Sequence, residues 1–147
     1  MKNYFDTSFL VSAYIRDAHS EAAASILSGL KTPIPLTPLV KHELRNAIRL
    51  CVFRGEIASG TCREVLADID GDVANGVLQE TPLSWSVLWA AAETLGEEYT
   101  ERIGVRSMDT LHVAAARVLG ARFFYTFDTR QARLAVSAGL KVLPARR

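Results

Sequence analysis

The last third of the chain limits the possible folds more than any other part of it. It runs "SMDTLHVAAARVLG", "ARFFYT", "TRQARLAVSAGL", "KVLP", which reads as helix, strand, helix, strand. Both helical runs stop at a glycine, Gly120 and Gly139, the residue that helix C-termini favour. Strands separated by helices need crossover connections, and crossovers place the strands parallel. The rest of the chain keeps the same alternation. Residues 2–5 read as a strand, "TSFLVSAYI" as a helix, and "SEAAASILSGL" as a second helix with Gly29 near its end. Three prolines leave "TPIPLTP" room only for a short strand, Ile34 to Thr37. Pro38 then suits the first turn of a long helix, "PLVKHELRNAIRLCVFRG", closed by Gly55. Its apolar stripe is expected to use Leu39, Leu44, Ala47, Ile48 and Cys51. A helix over about residues 59–70 leads to a "DGD" turn, a strand in "GVLQETP" and an amphipathic helix over 84–100. The expectation is one domain over residues 1–147, a three-layer α/β fold with a mostly parallel central sheet flanked by helices.

With 49% hydrophobic and 22% charged residues, the composition is that of a soluble globular protein. The formal net charge is +1, so any nucleic-acid binding must rest on a local patch rather than a global basic field. Cys51 and Cys62 form no CxxC pair and read as reduced thiols of a cytoplasmic protein. Asp6 interrupts the apolar N-terminus before it can serve as a signal peptide. No apolar run reaches the roughly 18 residues of a membrane span. Arg146 and Arg147 read as a short mobile tail.

Four acids have routes to one edge of such a sheet, where open parallel sheets bind ligands beyond the carboxyl ends of their strands. Asp6 ends the first strand, directly after Tyr4 and Phe5, where a carboxylate has little structural benefit. Asp128 follows "RFFYT" in the same way. Asp109 lies in the first turn of its helix, and Glu43 within the first two turns of the long one. Singly, each of the last three has a local explanation. Asp109 suits a helix dipole or cap, Asp128 an N-cap, and Glu43 a solvated face beside Lys41 or Arg45. Together they repel one another unless a cation compensates. Oxygen ligands without a His/Cys set select Mg²⁺ or Mn²⁺ over zinc. Such ions assist hydrolysis of a phosphate ester, and the acids leave one ion or two equally open.

Other side chains carry two readings each. Lys41, Arg45 and Arg49 form a stripe on the long helix, either a solvated face or a set of phosphate contacts along RNA. Asn46, one turn from Glu43, is placed to orient that carboxylate or simply to face water. Arg130 is a further phosphate contact or an ordinary helix-start arginine. His112 reads as a packed residue supporting the site rather than a catalytic base. Trp85 and Trp89 read as core packing or a partner interface ahead of base stacking.

The segments "YFDTSFLVSAY", "TPLVKHELRNAI" and "SMDTLHVAAARVLGARFFYTFDTRQARLAVSAGLKVLP" resemble the PIN-domain family, most of all its VapC-type toxins. The resemblance spans nearly the whole chain and is weakest over about residues 56–100. It implies an endoribonuclease that binds Mg²⁺ or Mn²⁺. Asp6, Glu43 and Asp109 match the family's three principal acids, and Asp128 matches its fourth. Ser8 and Thr126 match small polar positions lining the same pocket. It further implies an antitoxin partner and a homodimer. Two alternatives stand beside it. A haloacid-dehalogenase-type phosphatase wants a second Asp at position 8, where Ser8 stands. A non-catalytic scaffold would bind RNA or protein without turnover.

Overall fold

The computed structural model describes residues 3–145. Lys2, expected in the first strand, and the Arg146–Arg147 tail lie outside the described residues. In chain order the elements are β1 (Asn3–Phe5), α1 (Thr7–Tyr14), α2 (Ser20–Ser28), β2 (Ile34–Leu36), α3 (Pro38–Phe53) and α4 (Ser59–Ala74). They continue with β3 (Leu78–Glu80), α5 (Trp85–Ile103), α6 (Ser107–Val118), β4 (Phe123–Tyr125), α7 (Thr129–Ser137) and β5 (Lys141–Leu143). The expected α/β class holds, and every strand pair is parallel. The chain divides into two compact units, one running to Asp6 and resuming at Pro82, the other Thr7–Thr81.

The first unit holds a three-stranded sheet in the order β1-β4-β5. Tyr4 pairs with Phe124 and Phe5 with Tyr125 across β1 and β4. Both pairs stack, with ring centroids 5.4 and 4.3 Å apart. These aromatics explain why so short a strand is stable, because each pair adds dispersion to the ladder's hydrogen bonds. Helix α6 is buried on all sides from Asp109 to Ala116. Its small residues Ala114, Ala115 and Ala116 let neighbouring elements approach closely, and they are fully buried. Gly120 and Gly139 end α6 and α7 in the left-handed region, at φ +67° and +86°, as the sequence predicts. The two tryptophans depart from one of the two expected readings, core packing. Trp85 and Trp89 are 46% and 56% exposed, stacked on each other 6.4 Å apart on the outside of α5, so they are not core.

The second unit holds β2 and β3, paired in parallel with Ile34 opposite Leu78. Thr37 caps α3 by accepting the Val40 N–H at 3.2 Å, and Pro38 occupies the first turn. The buried stripe of α3 is Val40, Leu44, Ile48 and Cys51. Val40 replaces the expected Leu39 because it lies four residues, about one turn, before Leu44, whereas Leu39 lies five before it and falls off the stripe; Leu39 and the expected Ala47 are half-buried. The "DGD" turn is not a turn. Helix α4 runs through it to Ala74, and the chain reverses instead at Gly76, whose φ of +74° favours glycine. Asp72 thereby keeps a helical position from which it accepts the Tyr14 hydroxyl at 2.5 Å. Burial, reinforced by Asp72, pushes the Tyr14 hydroxyl well above the usual tyrosine range. Cys51 and Cys62 are buried free thiols. No described helix is long and apolar enough to cross a membrane.

Candidate active site

Asp6 stands one residue past β1, yet its N–H still bonds the Tyr125 carbonyl at 3.0 Å, so the extended register continues through it. Its neighbour in that register is Thr126, one residue past β4. The side chains meet there: the Thr126 hydroxyl donates to Asp6 Oδ2 at 2.5 Å. Asp6 is 0% and Thr126 2% exposed. A carboxylate so deeply buried is tolerated only with hydrogen bonds or a cation to meet it. Thr126 is itself fixed from the other side, because its N–H bonds the Leu143 carbonyl at the end of β5 at 3.0 Å.

From Thr126 the contacts run on to the second acid. Its Oγ1 accepts the Asp128 N–H at 2.9 Å. Asp128 caps α7, with Oδ1 accepting the N–H groups of Arg130 at 2.8 Å and Gln131 at 2.9 Å. The side chain of Arg130, in the first turn of α7, brings Nη1 to 4.0 Å from Asp109 Oδ2. That same oxygen accepts the Arg106 N–H at 2.8 Å, which ties Asp109 to the start of α6. Asp109 is buried and Asp128 half-buried. The expected capping contacts are present at Asp109 and Asp128, and these local hydrogen bonds hold each carboxylate in place.

The structure thus joins Asp6, Thr126, Asp128, Arg130 and Asp109 within the first unit. Glu43, Ser8, Asn46, Lys41, Arg45 and Arg49 belong to the second. There Glu43 is half-buried and accepts a short hydrogen bond from the Thr7 hydroxyl. Ser8 is half-buried in α1, and its carbonyl accepts the Ser12 hydroxyl at 3.3 Å. Asn46 and Arg49 are exposed. Lys41 pairs with Glu80 at 2.5 Å and Arg45 with Asp70 at 2.6 Å. Ion pairs near the surface such as these contribute little stability.

Three residues of note escaped the sequence reading. Thr7, in "DTS", is the hydroxyl that holds Glu43. Gln131 is buried, and its Oε1 is the one buried side-chain polar atom among the described residues without a hydrogen-bond partner. Tyr4 shares a buried hydrogen bond with His112. Only the polar types of Thr7 and Gln131, beside Asp6 and Arg130 in sequence, gave any hint of them.

Within the first unit Asp6, Asp109 and Asp128 offer oxygen donors only, a type that fits a hard divalent cation. Among the described residues, no three His, Cys, Asp or Glu side chains close around one point.

Parallel strands alternating with helices define an α/β protein, with the buried Asp6 directly after β1 and the half-buried Asp128 three residues after β4. The model of the PIN domain matches residues 4–137, and the chain belongs to the PIN-domain family. Similar solved structures include Mycobacterium tuberculosis VapC20, a sarcin-ricin loop cleaving toxin, at 19% identity and TM-score 0.70 over 99% of this chain and 100% of that one. VapBC2 from Rickettsia felis, bound to a DNA fragment from their promoter, is 15% identical with TM-score 0.65 over 97% of each chain. FitAcB from Neisseria gonorrhoeae is 17% identical with TM-score 0.63 over 95% of each. At these identities the likeness is one of fold. No curated protein matches the sequence.

Proposed function

We propose that the protein is a divalent-cation-dependent endoribonuclease and the toxin of a toxin–antitoxin pair. The observation that carries this reading is the joined set of Asp6 and Thr126 after strands β1 and β4, Asp128 and Arg130 at the start of α7, and Asp109 at the start of α6, in a PIN domain. The reading assigns Asp6, Asp109, Asp128 and Glu43 as ligands of Mg²⁺ or Mn²⁺, directly or through water. Glu43 enters on the sequence resemblance, supported by the hydroxyl that fixes its carboxylate. Mg²⁺ commonly takes only one or two protein carboxylates, with water and substrate phosphate completing its shell. A bound ion would supply Lewis acidity toward a phosphodiester and lower the pKa of water.

The chain's own residues do the rest. Thr126 holds Asp6 in one rotamer by donating to it, and Asp128 holds the start of α7, where Arg130 can meet a phosphate. Ser8 and Asn46 are assigned to support the pocket. Lys41, Arg45 and Arg49 are assigned to the RNA backbone, releasing Glu80 and Asp70 as they bind. The partner implied by likeness to VapBC2 and FitAcB is a cognate antitoxin, and the protein is proposed to act as a cytoplasmic homodimer.

The test is cleavage of structured RNAs in Mg²⁺, in Mn²⁺ and in EDTA. Cleavage that needs the ion supports the reading, and cleavage unaffected by EDTA overturns it. Stable RNA binding without turnover points to the scaffold. An acyl-phosphate on Asp6 without RNA cleavage points to the phosphatase.

A further inference from the structure

Tyr4 Oη and His112 Nδ1 share a hydrogen bond of 2.9 Å in the fully buried interior of the first unit, where Tyr4 is 1% and His112 0% exposed. The rings meet edge-on, with centroids 6.0 Å apart, and the other flank of Tyr4 stacks on Phe124. A polar pair in such a place needs a reason, since an apolar pair of the same shape would be no less stable. The positions supply one. Tyr4 and Asp6 are two residues apart on an extended strand, so both side chains leave the same face. Asp109 and His112 are three apart on α6, so they share one helix face. This bond therefore ties the face of β1 that carries Asp6 to the face of α6 that carries Asp109. Dispersion contacts between aromatic and aliphatic groups tolerate sliding, whereas a hydrogen bond fixes both distance and angle. His112 is sealed from solvent, which leaves it no part in proton transfer to substrate.

We propose that the Tyr4–His112 hydrogen bond is a positioning brace that sets the spacing between Asp6 and Asp109. This rests on the reading of those acids as cation ligands. Tyr4 and His112 are positioning residues, and neither touches the reacting atoms.

The test compares Tyr4→Phe, which removes one hydroxyl and keeps the stacked ring, with the wild type. Mn²⁺ affinity is measured on RNA-free protein by electron paramagnetic resonance, alongside kcat, KM and near-ultraviolet circular dichroism. The expected result is a folded variant whose Mn²⁺ affinity and kcat both fall by about tenfold, the upper range for one hydrogen bond, with KM for RNA within about twofold. Tyr4→Phe that melts earlier but keeps wild-type Mn²⁺ affinity and kcat overturns the brace. If Tyr4→Phe does not fold, His112→Asn and His112→Gln decide. The Asn amide falls near the Nδ1 position and should keep Mn²⁺ affinity; the Gln amide falls near Nε2 and should lose it. Equal affinities in the two variants overturn the brace. Wild-type protein that binds no Mn²⁺ overturns the cation reading itself and the brace with it, an outcome distinct from any variant effect.

Discussion

The Thr126 hydroxyl donates to Asp6 Oδ2 at 2.5 Å and accepts the Asp128 N–H at 2.9 Å, so one side chain links the ends of two parallel strands to the start of α7. Thr126→Val keeps the shape and removes both bonds. Leaving a buried acceptor and a backbone donor unmet should cost about 1–3 kcal/mol in urea unfolding. Cleavage should fall with it, and Thr126→Ser should restore both. A Thr126→Val protein as stable as wild type would mean that water replaces the hydroxyl.

Asp128 combines a cap with a charge, and the two can be separated. Asn caps helices about as well as Asp, whereas Ala costs about 1 kcal/mol. Asp128→Asn should therefore keep the melting temperature while cleavage falls, and Asp128→Ala should lower both. If Asp128→Asn retains full activity, Asp128 serves only α7.

Arg130 reaches toward Asp109 without closing a hydrogen bond, at 4.0 Å and with a side chain 35% exposed. On the reading of Arg130 as a phosphate contact, Arg130→Ala weakens RNA binding similarly across sequences. The slope of log affinity against log salt then becomes shallower by about one unit. Unchanged salt dependence would return Arg130 to a purely local role.

In the second unit, Tyr14 carries the pH prediction. Its hydroxyl pKa is raised in the folded protein, first by burial and then by Asp72. A raised folded pKa gives stability that is present below the unfolded pKa, about 10, and is lost as pH climbs past it. Wild type should lose stability above about pH 10 more steeply than Tyr14→Phe. Parallel curves for the two proteins would contradict the burial of that hydroxyl as the cause.

Much of the fold was legible because helix period, proline and glycine each act locally. Pro38 and Thr37 mark the start of α3, and Gly120 and Gly139 close α6 and α7 where expected. The "DGD" stretch misled because Asp and Gly are turn formers, but helix α4 tolerates Gly71 and reverses at Gly76. The core reading of Trp85 and Trp89 failed because helical spacing of large apolar residues cannot tell an inner face from an outer one. Asp6 stood out in the sequence as a carboxylate directly after Tyr4 and Phe5, and the structure buries it there. Its partner was less so, because the bond from Thr126 spans 120 residues of sequence and depends on the parallel register of β1 and β4. His112 read as a packed residue, but its bond to Tyr4 lay beyond any local pattern.

The most direct measurement is RNA cleavage by wild type and Asp6→Asn, each in Mn²⁺ and in EDTA, with melting curves run in parallel. Asp6→Asn keeps the side-chain shape and removes a charge that is 0% exposed, so the fold should hold and melting in EDTA should be no lower than wild type. Wild type should cleave only with the ion and be stabilised by it, and Asp6→Asn should show neither effect. Asp6→Asn that cleaves like wild type, or that unfolds, would contradict the assignment of Asp6 to a cation-binding catalytic site.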